Sequence, residues 1–310
     1  MTAFALNSEN LKKSFGNVKA VDGLSLSVEP GEIYALVGPD GAGKTTTMRL
    51  LASIMDPDSG HAWVNGHDTV TEAEAVKEAI GYMSQRFGLY PDLTVRENLV
   101  FYADIQGVSK KLRKERMERL LGFSNLTPFK DRLAGNLSGG MKQKLGLACA
   151  LIHSPRVLLL DEPTNGVDPV SRRDFWRILY QLLKEGVTVF VSTAYLDEAE
   201  RANRVGLIHR GRLLATGTPA EVKGLMEGEI LEVTAAVPRR AAALMREKFG
   251  HNSVSLFGDR VHLVTKSLSD DSRQVKSLLN GEGMEIVSMK KIEPGLEDVF
   301  VSVLAKMDEA

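Results

Sequence analysis

The chain alternates short runs of almost purely apolar residues with longer segments in which apolar residues recur every three or four positions. Two of the short runs, VLLLDEP from residue 157 and VTVFVST from residue 187, have polar flanks and are typical of buried strands. The segment SRRDFWRILYQLLKEG between them has the spacing of an amphipathic helix. A strand, a helix and a parallel strand form a βαβ unit, which is right-handed in almost all proteins. We therefore predict an α/β core with a largely parallel sheet.

The N-terminal part of the pattern predicts strands that lead into a glycine-rich loop. SLSVEPGEIYALVGP places two short strands on either side of a turn at Pro30 and Gly31. The run KTTTMRLLASIM, which starts at Lys44, has helical spacing and stops before an Asp-Pro pair. Residues 97–154 are mostly helical in pattern, so we expect the core to carry a helical subdomain.

After Leu225 the pattern changes to that of a small α+β domain. The predicted order is strand, helix, strand, strand, helix, strand and a closing helix, over ILEVTAAV, RRAAALMREKF, SVSLF, RVHLVTK, SRQVKSLLN, MEIVSMKKI and LEDVFVSVLAKM. This order matches the split βαβ plan of ferredoxin-like domains. We place Asp270 and Asp271 at a helix start, where acids favour the helix dipole, and not in a catalytic pair. The predicted domains are residues 1–225 and 226–310.

The composition is that of an ordinary soluble protein. Of the 310 residues, 25% are charged and 43% are apolar, and the formal net charge is -1. Such a balance argues against a nucleic-acid binder that depends on bulk positive charge. The basic run KKLRKER from residue 110 belongs to an amphipathic helix in which we expect Leu112, Leu120 and Leu121 to face inward, so its cations form a solvated face. We expect no nucleic-acid partner.

The number of cysteines, the spacing of the histidines and the length of the apolar runs predict no disulfide, no metal cluster and no membrane span, respectively. The single cysteine, Cys149, lies in an apolar run and is expected in the core, and the histidines lack the spacing of metal ligands. No apolar run reaches the roughly 18 to 20 residues that span a bilayer, and the N-terminus does not have the pattern of a signal peptide. Any work at a membrane is therefore expected to go through a partner.

The first chemical motif is GPDGAGKT, which starts at residue 38 and satisfies G-x-x-x-x-G-K-[ST] between a predicted strand and a predicted helix. In such a phosphate-binding loop, backbone N–H groups surround phosphate oxygens and the helix N-terminus adds its dipole. We expect Lys44 to reach the β- and γ-phosphates and Thr45 to offer its hydroxyl to Mg²⁺. The predicted nucleotide-binding residues of this loop are Gly38, Pro39, Asp40, Gly41, Ala42, Gly43, Lys44, Thr45 and Thr46.

The second motif is the acidic end of the strand VLLLDE, where Asp161 and Glu162 follow apolar residues. An aspartate at the tip of a buried strand suits the binding of a Mg-nucleotide. A second carboxylate beside it can polarise an attacking water. The pair therefore predicts a catalytic edge of the sheet.

The third motif is LSGGMKQ, residues 137–143, about twenty residues before the acidic strand end. Its serine and two glycines open a helix and form a second helix start that can receive an anion. One chain does not need two phosphate-binding sites for one nucleotide.

The order of glycine-rich loop, LSGGMKQ and LLLDEP resembles the ATP-binding cassette of ABC transporters over residues 4 to about 220. In that family two cassettes face each other, and the LSGG serine of each completes the nucleotide site of the other. The resemblance implies a P-loop NTPase core, with ATP and Mg²⁺ as cofactors. It further implies a second cassette as partner, either identical to this chain or different from it.

The resemblance also assigns roles to single residues. The residues implied in catalysis are Glu162, Lys44 and Gln85, and those implied to hold Mg²⁺ are Thr45, Gln85 and Asp161. Phe15 is similar to the family's aromatic that stacks on adenine. The residues implied to face the partner cassette are Ser138, Gly140 and Asp168.

The ending LEDVF is similar to that of drug-resistance-type cassettes, which serve exporters of the ABC-2 class. The implied function is the ATP-binding subunit of an exporter, peripheral on the cytoplasmic face of the cell membrane, with a separate ABC-2 type permease. Aromatic residues near the glutamine, Phe87, Tyr90, Phe101 and Tyr102, have the composition of a surface that contacts a membrane subunit, although core packing accounts for some of them.

Two positions depart from the family pattern. Asp40 stands where many members have asparagine, and we expect its carboxylate to point to solvent. Ala194 stands where the pattern has the histidine that contacts the γ-phosphate, and a lost donor there costs roughly 10² to 10³ in rate by analogy with oxyanion sites. We therefore expect normal binding of ATP and Mg²⁺ but slow hydrolysis, with a second cassette supplying most of the turnover. The alternatives are that Thr193 or Tyr195 takes over the contact, or that members of this subfamily work without the histidine.

Two further functions are considered: a soluble ABC ATPase that works on DNA or ribosomes, of which the DNA version is excluded, and a regulatory nucleotide-binding module. An ABC ATPase that works on DNA would carry a long coiled coil between the phosphate loop and LSGG, and no sustained heptads occur there. A translation-type relative usually carries two cassettes, whereas this chain has one. A regulatory nucleotide-binding module with little or no catalysis is favoured by Ala194 and disfavoured by Glu162.

Overall fold

The computed structural model describes residues 4–86 and 88–308, with side chains to residue 304. The chain forms two compact units that divide between Thr216 and Gly217. The predicted domain boundary at residues 225 and 226 lies beyond this division and before Glu229–Ala235, the first strand of the second unit. That boundary stays a prediction.

The first unit is built on a six-stranded sheet whose central strands are parallel, as the apolar runs predicted. In spatial order its strands are β10 (Arg212–Gly217), β9 (Arg204–His209), β3 (Ile33–Val37), β8 (Thr188–Thr193), β7 (Val157–Asp161) and β6 (Ile80–Met83). Every residue of β3, β7 and β8 is buried, because helices and a second sheet cover the faces of a parallel sheet. The sequence's prediction of an α/β core is confirmed.

A second, antiparallel sheet of the same unit carries the N-terminal strands. In spatial order it contains β2 (Val18–Val28), β1 (Leu6–Phe15), β4 (Ser59–Val64) and β5 (His67–Asp68). Its buried leucines and valines form one cluster with Tyr34 and Phe190 of the parallel sheet, whose rings stack with centroids 5.5 Å apart. This packing holds the end of β1, at Phe15, beside the glycine-rich loop.

Helices of the first unit follow the predicted pattern, including the crossover between the two apolar strands. They are α1 (Lys44–Leu51), α2 (Ala73–Ala79), α3 (Val95–Ile105), α4 (Lys110–Phe123), α5 (Gly139–Ala150), α6 (Pro169–Lys184) and α7 (Leu196–Ala199). Strands β7 and β8, which precede and follow α6 along the chain, pair with each other in parallel, so the predicted βαβ unit is confirmed. Cys149 of α5 is buried, and burial raises the pKa of its thiol.

One orientation predicted for α4 is wrong. Leu120 and Leu121 are buried, but Leu112 is 43% exposed, and Met117 occupies the inward face in its place. At about 100° per residue, Leu112 lies roughly 140° around the helix from Met117, so it cannot share that face. The cations of this helix are still mostly solvated.

The second unit confirms the predicted order of a ferredoxin-like domain. Its antiparallel sheet contains, in spatial order, β12 (Val254–Phe257), β13 (Arg260–Thr265), β11 (Glu229–Ala235) and β14 (Ile286–Ile292). Its helices are α8 (Pro219–Lys223), α9 (Pro238–Phe249), α10 (Leu268–Gly281) and α11 (Leu296–Asp308). Asp270 and Asp271 lie in the first turn of α10, as predicted.

Among the helices that the structure describes, none has both the length and the apolar character required to traverse a bilayer.

Candidate nucleotide-binding site

The loop between β3 and α1 can be built only with glycine at two of its positions. A side-chain carbon on Gly38 would lie 2.1 Å from the carbonyl oxygen of Ile208. At Gly43, where φ is +107°, it would lie 2.2 Å from the carbonyl oxygen of Ala20. Space alone thus requires glycine at Gly38, whereas at Gly43 both the left-handed backbone and the tight packing require it.

The start of α1 is open to an anion. Its N-cap residue, Gly43, has no side chain to accept from the first amides of the helix, and the first turn contains no acid. Such amides and the helix dipole favour a negatively charged ligand. Asp40 is exposed, as expected, and does not occupy this position.

Lys44 is folded back onto the loop and is only 4% exposed. Its Nζ donates to the carbonyl oxygens of Gly38 and Pro39, at 2.7 and 3.0 Å. The same nitrogen lies 3.0 Å from Oε1 of Glu162. The cation expected to bind phosphate and the carboxylate expected to act on water therefore neutralise each other in a buried pair.

Glu162 is held in a strained conformation directly after β7. Its φ is +48°, a left-handed value that costs a residue other than glycine about 1 to 3 kcal/mol. Its second oxygen, Oε2, accepts from Nε2 of Gln85 at 3.0 Å and from Nδ2 of Asn165 at 3.1 Å. Its backbone N–H donates to the carbonyl and to Oγ of Ser192, both at 3.1 Å. Strain kept by so many contacts is typical of a functional position.

Asp161 has one oxygen in hydrogen bonds and one without a partner. Oδ1 accepts from Oγ of Ser192 at 2.7 Å and from Oγ1 of Thr45 at 3.2 Å. Oδ2 is buried and has no hydrogen-bond partner among the described atoms. Burial raises the pKa of this carboxyl in spite of the two hydroxyl donors. A hard divalent cation would supply the missing charge and coordinate to oxygen, so these residues fit Mg²⁺.

A cavity of about 380 Å³ lies beside Lys44, Thr45 and Glu162. It is lined by the phosphate loop, by Gln85 and Glu162, and at its other side by Phe15, Val18 and Ala20. The Phe15 ring is 48% exposed, an unusual state for a phenylalanine. An aromatic surface at one end and phosphate-binding groups at the other suit a nucleoside triphosphate.

The residues predicted to face a partner cassette do not line this cavity in the described part of the chain. Ser138 is the N-cap of α5 and accepts from the Met141 amide at 3.3 Å. Asp168 is the N-cap of α6, and its hydrogen bonds there lower the pKa of its carboxyl. Gly140 packs against Ser171, where a side-chain carbon would lie 2.5 Å from Oγ. Their proposed nucleotide contact thus requires a second molecule.

Ala194 is exposed at the end of β8, between two residues with other contacts. Thr193 is buried, and its hydroxyl donates to Glu198 at 3.2 Å and accepts from the Tyr195 amide at 3.0 Å. The Tyr195 ring lies under the guanidinium of Arg172, 4.8 Å from its centroid. Because the Thr193 hydroxyl is used as both donor and acceptor, it is poorly placed to replace the missing histidine.

Sequence patterns missed two residues that contact the carboxylates of the site, Ser192 and Asn165. Ser192 could have been found, since it is a polar residue at the end of a buried strand, and it reaches Asp161 because the sheet pairs β7 with β8. Asn165 lies in a polar segment with nothing in the pattern to mark it, and it contacts Glu162 within the turn that follows β7. The fold and this set of side chains define a P-loop nucleotide-binding protein.

Comparisons with known proteins agree with this class. The ABC transporter family matches residues 21–165, and the C-terminal domain of ATP-binding proteins like DrrA1-3 matches residues 217–304. The probable multidrug ABC transporter ATP-binding protein YbhF of Escherichia coli K12 is 43% identical over 98% of this chain and 53% of that protein. The chain thus spans about half the length of this relative.

Other relatives match over nearly their whole length. The daunorubicin/doxorubicin resistance ATP-binding protein DrrA of Streptomyces peucetius is 35% identical over 96% of this chain and 92% of that protein. The bacitracin transport ATP-binding protein BcrA of Bacillus licheniformis is 34% identical over 96% and 97%. The chain belongs to the ABC transporter family of ATP-binding proteins.

Solved structures of cassettes share the fold. The cbiO1 subunit of a Clostridium perfringens ABC transporter complex has a TM-score of 0.66 and 26% identity, over 71% of this chain and 91% of that one. The dimeric cassette MJ0796 with ADP and Pi has a TM-score of 0.63 and 25% identity, over 69% and 98%. The predicted P-loop NTPase core is confirmed.

Proposed function

We propose that this chain is the ATP-binding subunit of an ABC exporter. It binds ATP with Mg²⁺, hydrolyses it at the interface with a second cassette, and drives export through a separate ABC-2 type membrane subunit from the cytoplasmic face. One observation carries the proposal: the phosphate loop and the strained Glu162 line one cavity, and the half-satisfied Asp161 is hydrogen-bonded to Thr45 of its lining. The names of the relatives, which refer to multidrug, daunorubicin and bacitracin transport, support a small-molecule cargo.

Binding of the triphosphate prepares the catalytic carboxylate. Phosphate oxygens compete with Glu162 for Lys44, so nucleotide binding opens the buried pair and frees Oε1 of Glu162. The freed oxygen orients a water toward the γ-phosphorus and takes its proton as the water oxygen bonds to that phosphorus. The bond from the γ-phosphorus to the β–γ bridging oxygen breaks, its electron pair leaves with ADP, and the γ-phosphoryl group is released as inorganic phosphate. Thr45, Asp161 and Gln85 would hold Mg²⁺, which neutralises phosphate charge when bound.

Calorimetry with the full chain tests the proposal. We expect MgATP to bind, Lys44→Ala to lose most of the affinity, and Glu162→Gln to bind MgATP while hydrolysis falls below detection. The Glu162→Gln variant also removes a buried charge from Lys44, so the free protein should lose about 1 to 3 kcal/mol of unfolding free energy. A wild-type chain without magnesium-dependent ATP affinity would refute the function.

A regulatory nucleotide-binding module remains the second candidate because of Ala194. Single-turnover hydrolysis with the purified chain separates the two functions. Any ADP formed from one bound ATP, and absent in Glu162→Gln, favours the ATPase. ATP that stays intact over many hours favours the module.

The proposed membrane partner has a candidate surface beside Gln85. The rings of Tyr90 and Phe101 meet edge to face at 4.4 Å, those of Phe101 and Tyr102 at 5.5 Å, and Tyr90 is 46% exposed. Phe87, which the sequence placed in the same surface, lies outside the described residues. Partly exposed aromatic residues of this kind are enriched at protein interfaces.

We expect Tyr90→Ala to weaken copurification of the chain with its membrane subunit, because it removes the exposed ring of this surface. The affinity for MgATP, measured by calorimetry, should stay unchanged. Tyr180→Ala is the matched control, since it removes a ring of similar exposure (37%) from α6. Copurification that survives Tyr90→Ala undiminished would place the contact elsewhere.

A further inference from the structure

Glu198 is a buried carboxylate that the proposed hydrolysis does not use. It lies in α7 and is 2% exposed. One of its oxygens, Oε2, accepts two hydrogen bonds from threonine hydroxyls, at 2.7 Å from Thr164 and at 3.2 Å from Thr193. A single oxygen thus joins the segment after β7 to the end of β8.

The two threonines lie next to the two positions that matter most for the γ-phosphate. Thr164 follows Glu162 by two residues, and Asn165, the next residue, donates to Oε2 of Glu162. Thr193 immediately precedes Ala194. Since an alanine offers no polar side chain to anchor that position, the end of β8 depends on its neighbours for its placement.

The other oxygen of Glu198 faces a cation at a distance too long for a hydrogen bond. Oε1 lies 3.6 Å from Nη1 of Arg172, and neither atom has a hydrogen-bond partner among the described residues. Arg172 also covers the Tyr195 ring. Burial raises the pKa of the Glu198 carboxyl, so its surroundings disfavour the charge, although hydrogen bonds and Arg172 oppose this effect. A group kept under such conditions is expected to have a specific task.

We propose that Glu198 is a positioning residue that holds the Glu162 segment and the end of β8 in one arrangement around the γ-phosphate. The proposal rests on the proposed ATP hydrolysis. Among the described residues, the hydrogen bonds and the ion pair of Glu198 go to Thr164, Thr193 and Arg172, and none goes to the phosphate loop or to a residue proposed to hold Mg²⁺. Its loss therefore reduces the hydrolysis step and leaves ATP binding largely intact, because small displacements of reacting groups are costly in rate.

Steady-state kinetics of the full chain test this role. For Glu198→Ala we expect kcat to fall at least about tenfold, with less than about a threefold change in KM for ATP. Glu198→Gln retains a carbonyl oxygen that can accept from both threonines, so kcat should return to within about threefold of wild type. Thr164→Val and Thr193→Val should each lower kcat, and neither should add to the loss in Glu198→Ala.

A second readout does not depend on turnover. Hydrogen exchange with bound MgATP should become faster in Glu198→Ala in two segments together, residues 162–166 and 192–196. Asp197→Asn is the control, since it neutralises the exposed neighbouring acid and touches neither threonine. Its kcat and its exchange should match those of wild type.

Either of two results would overturn the proposal. One is a folded Glu198→Ala chain with unchanged kcat. If the wild-type protein does not turn over, the equivalent result is unchanged hydrogen exchange in both segments of Glu198→Ala. The other is equal loss of kcat in Glu198→Gln and Glu198→Ala. A wild-type chain that binds no ATP would refute the proposed function instead, and the exchange of the free protein would then decide the role of Glu198.

Discussion

At the scale of single residues, the buried pair of Lys44 and Glu162 is the contact that we expect nucleotide binding to change. In the free protein each satisfies the charge of the other in a buried position. Breaking such a pair is costly unless a new partner arrives, and we expect the phosphates of ATP to be that partner for Lys44. In this structure the strained Glu162 lies at the edge of the cavity.

The glycines of the phosphate loop should differ in their tolerance of a side chain. Gly41→Ala adds a side-chain carbon in open space at φ +78°, so we expect a loss of about 1 to 2 kcal/mol from backbone strain alone. Gly43→Ala adds the clash with the Ala20 carbonyl, so the loss should be roughly 3 kcal/mol or more, with at least tenfold weaker ATP binding.

Urea unfolding of the full chain measures the difference between these variants. Gly122→Ala is the control, since it lies in α4 with open space around it and should stabilise the protein by about 0.5 to 1 kcal/mol. Equal losses for Gly41→Ala and Gly43→Ala would mean that the loop is more adaptable than its packing indicates.

Ala194→His should accelerate hydrolysis. The position is exposed at the strand end next to the proposed γ-phosphate site, so a histidine fits without repacking the core. Since the loss of a hydrogen-bond donor at such a site lowers the rate by roughly 10² to 10³, we expect a gain approaching 10² in kcat, measured by phosphate release at saturating ATP. Ala194→Leu has similar bulk without a donor and should give no gain. An unchanged rate in Ala194→His would show that this cassette works without the histidine.

At the scale of elements, a buried ion pair ties the closing helix α11 to the second unit's sheet. His262 of β13 lies between Asp298 of α11, 2.7 Å from its Nδ1, and Glu232 of β11, 3.4 Å from its Nε2. Two further cations, Arg260 and Lys290, face the same Glu232. Asp298 belongs to the LEDVF ending, which stood out in the sequence only for its similarity to drug-resistance-type cassettes. In the structure this aspartate anchors α11 to the sheet.

This pair makes the docking of α11 depend on pH. Burial opposes protonation of His262, but the hydrogen bond and charge of Asp298, with Glu232, raise its pKa above 6.5. The stabilisation is complete below the ordinary histidine pKa and is lost as pH rises through the raised value. We expect amides of α11 to exchange faster at pH 8 than at pH 6 after correction for intrinsic rates.

Two variants test the origin of that pH dependence. His262→Gln should remove it and destabilise α11 by about 1 to 3 kcal/mol, since Asp298 then lacks its charged partner. His251→Gln changes an exposed histidine of the same unit and should keep the wild-type behaviour. The same pH dependence in His262→Gln would exclude this histidine as its source.

At the scale of the whole molecule, we expect the exposed N-cap Ser138 to complete the nucleotide site of a second cassette. We expect the Glu162→Gln chain to form a dimer with MgATP in sedimentation velocity, because the variant keeps ATP bound. Adding Ser138→Arg should abolish the dimer, since a long cation would lie where the second nucleotide meets this helix. ATP affinity of the monomer should change by less than about twofold, as the residue lies outside the cavity.

Ser109→Arg controls for the added charge. Ser109 is likewise an exposed N-cap residue, at α4, and its side chain makes no cap hydrogen bond. The dimer should persist in that variant. A chain that binds MgATP and remains a monomer would contradict a homodimer, and a different cassette would then have to supply the second serine.

Much of the fold could be predicted because it depends on the local periodicity of apolar residues along the chain. The apolar runs at β7 and β8, the helix between them and the succession of strands and helices along the second unit depend on residues within a few positions of one another. The phosphate loop is also local, since glycine spacing, Lys44 and Thr45 lie in one turn. Leu112 was placed wrongly because its own helix, once formed, turns it away from the buried face.

The sequence by itself determined the elements, the phosphate loop and the family, since these depend on short-range spacing and on which residues follow one another. Only the tertiary structure decided the pairing of Lys44 with Glu162, the joining of Thr164 to Glu198 across 34 residues, and that of His262 to Asp298 across 36. Such contacts arise where strands and helices distant in sequence are packed side by side, and no spacing along the chain encodes them.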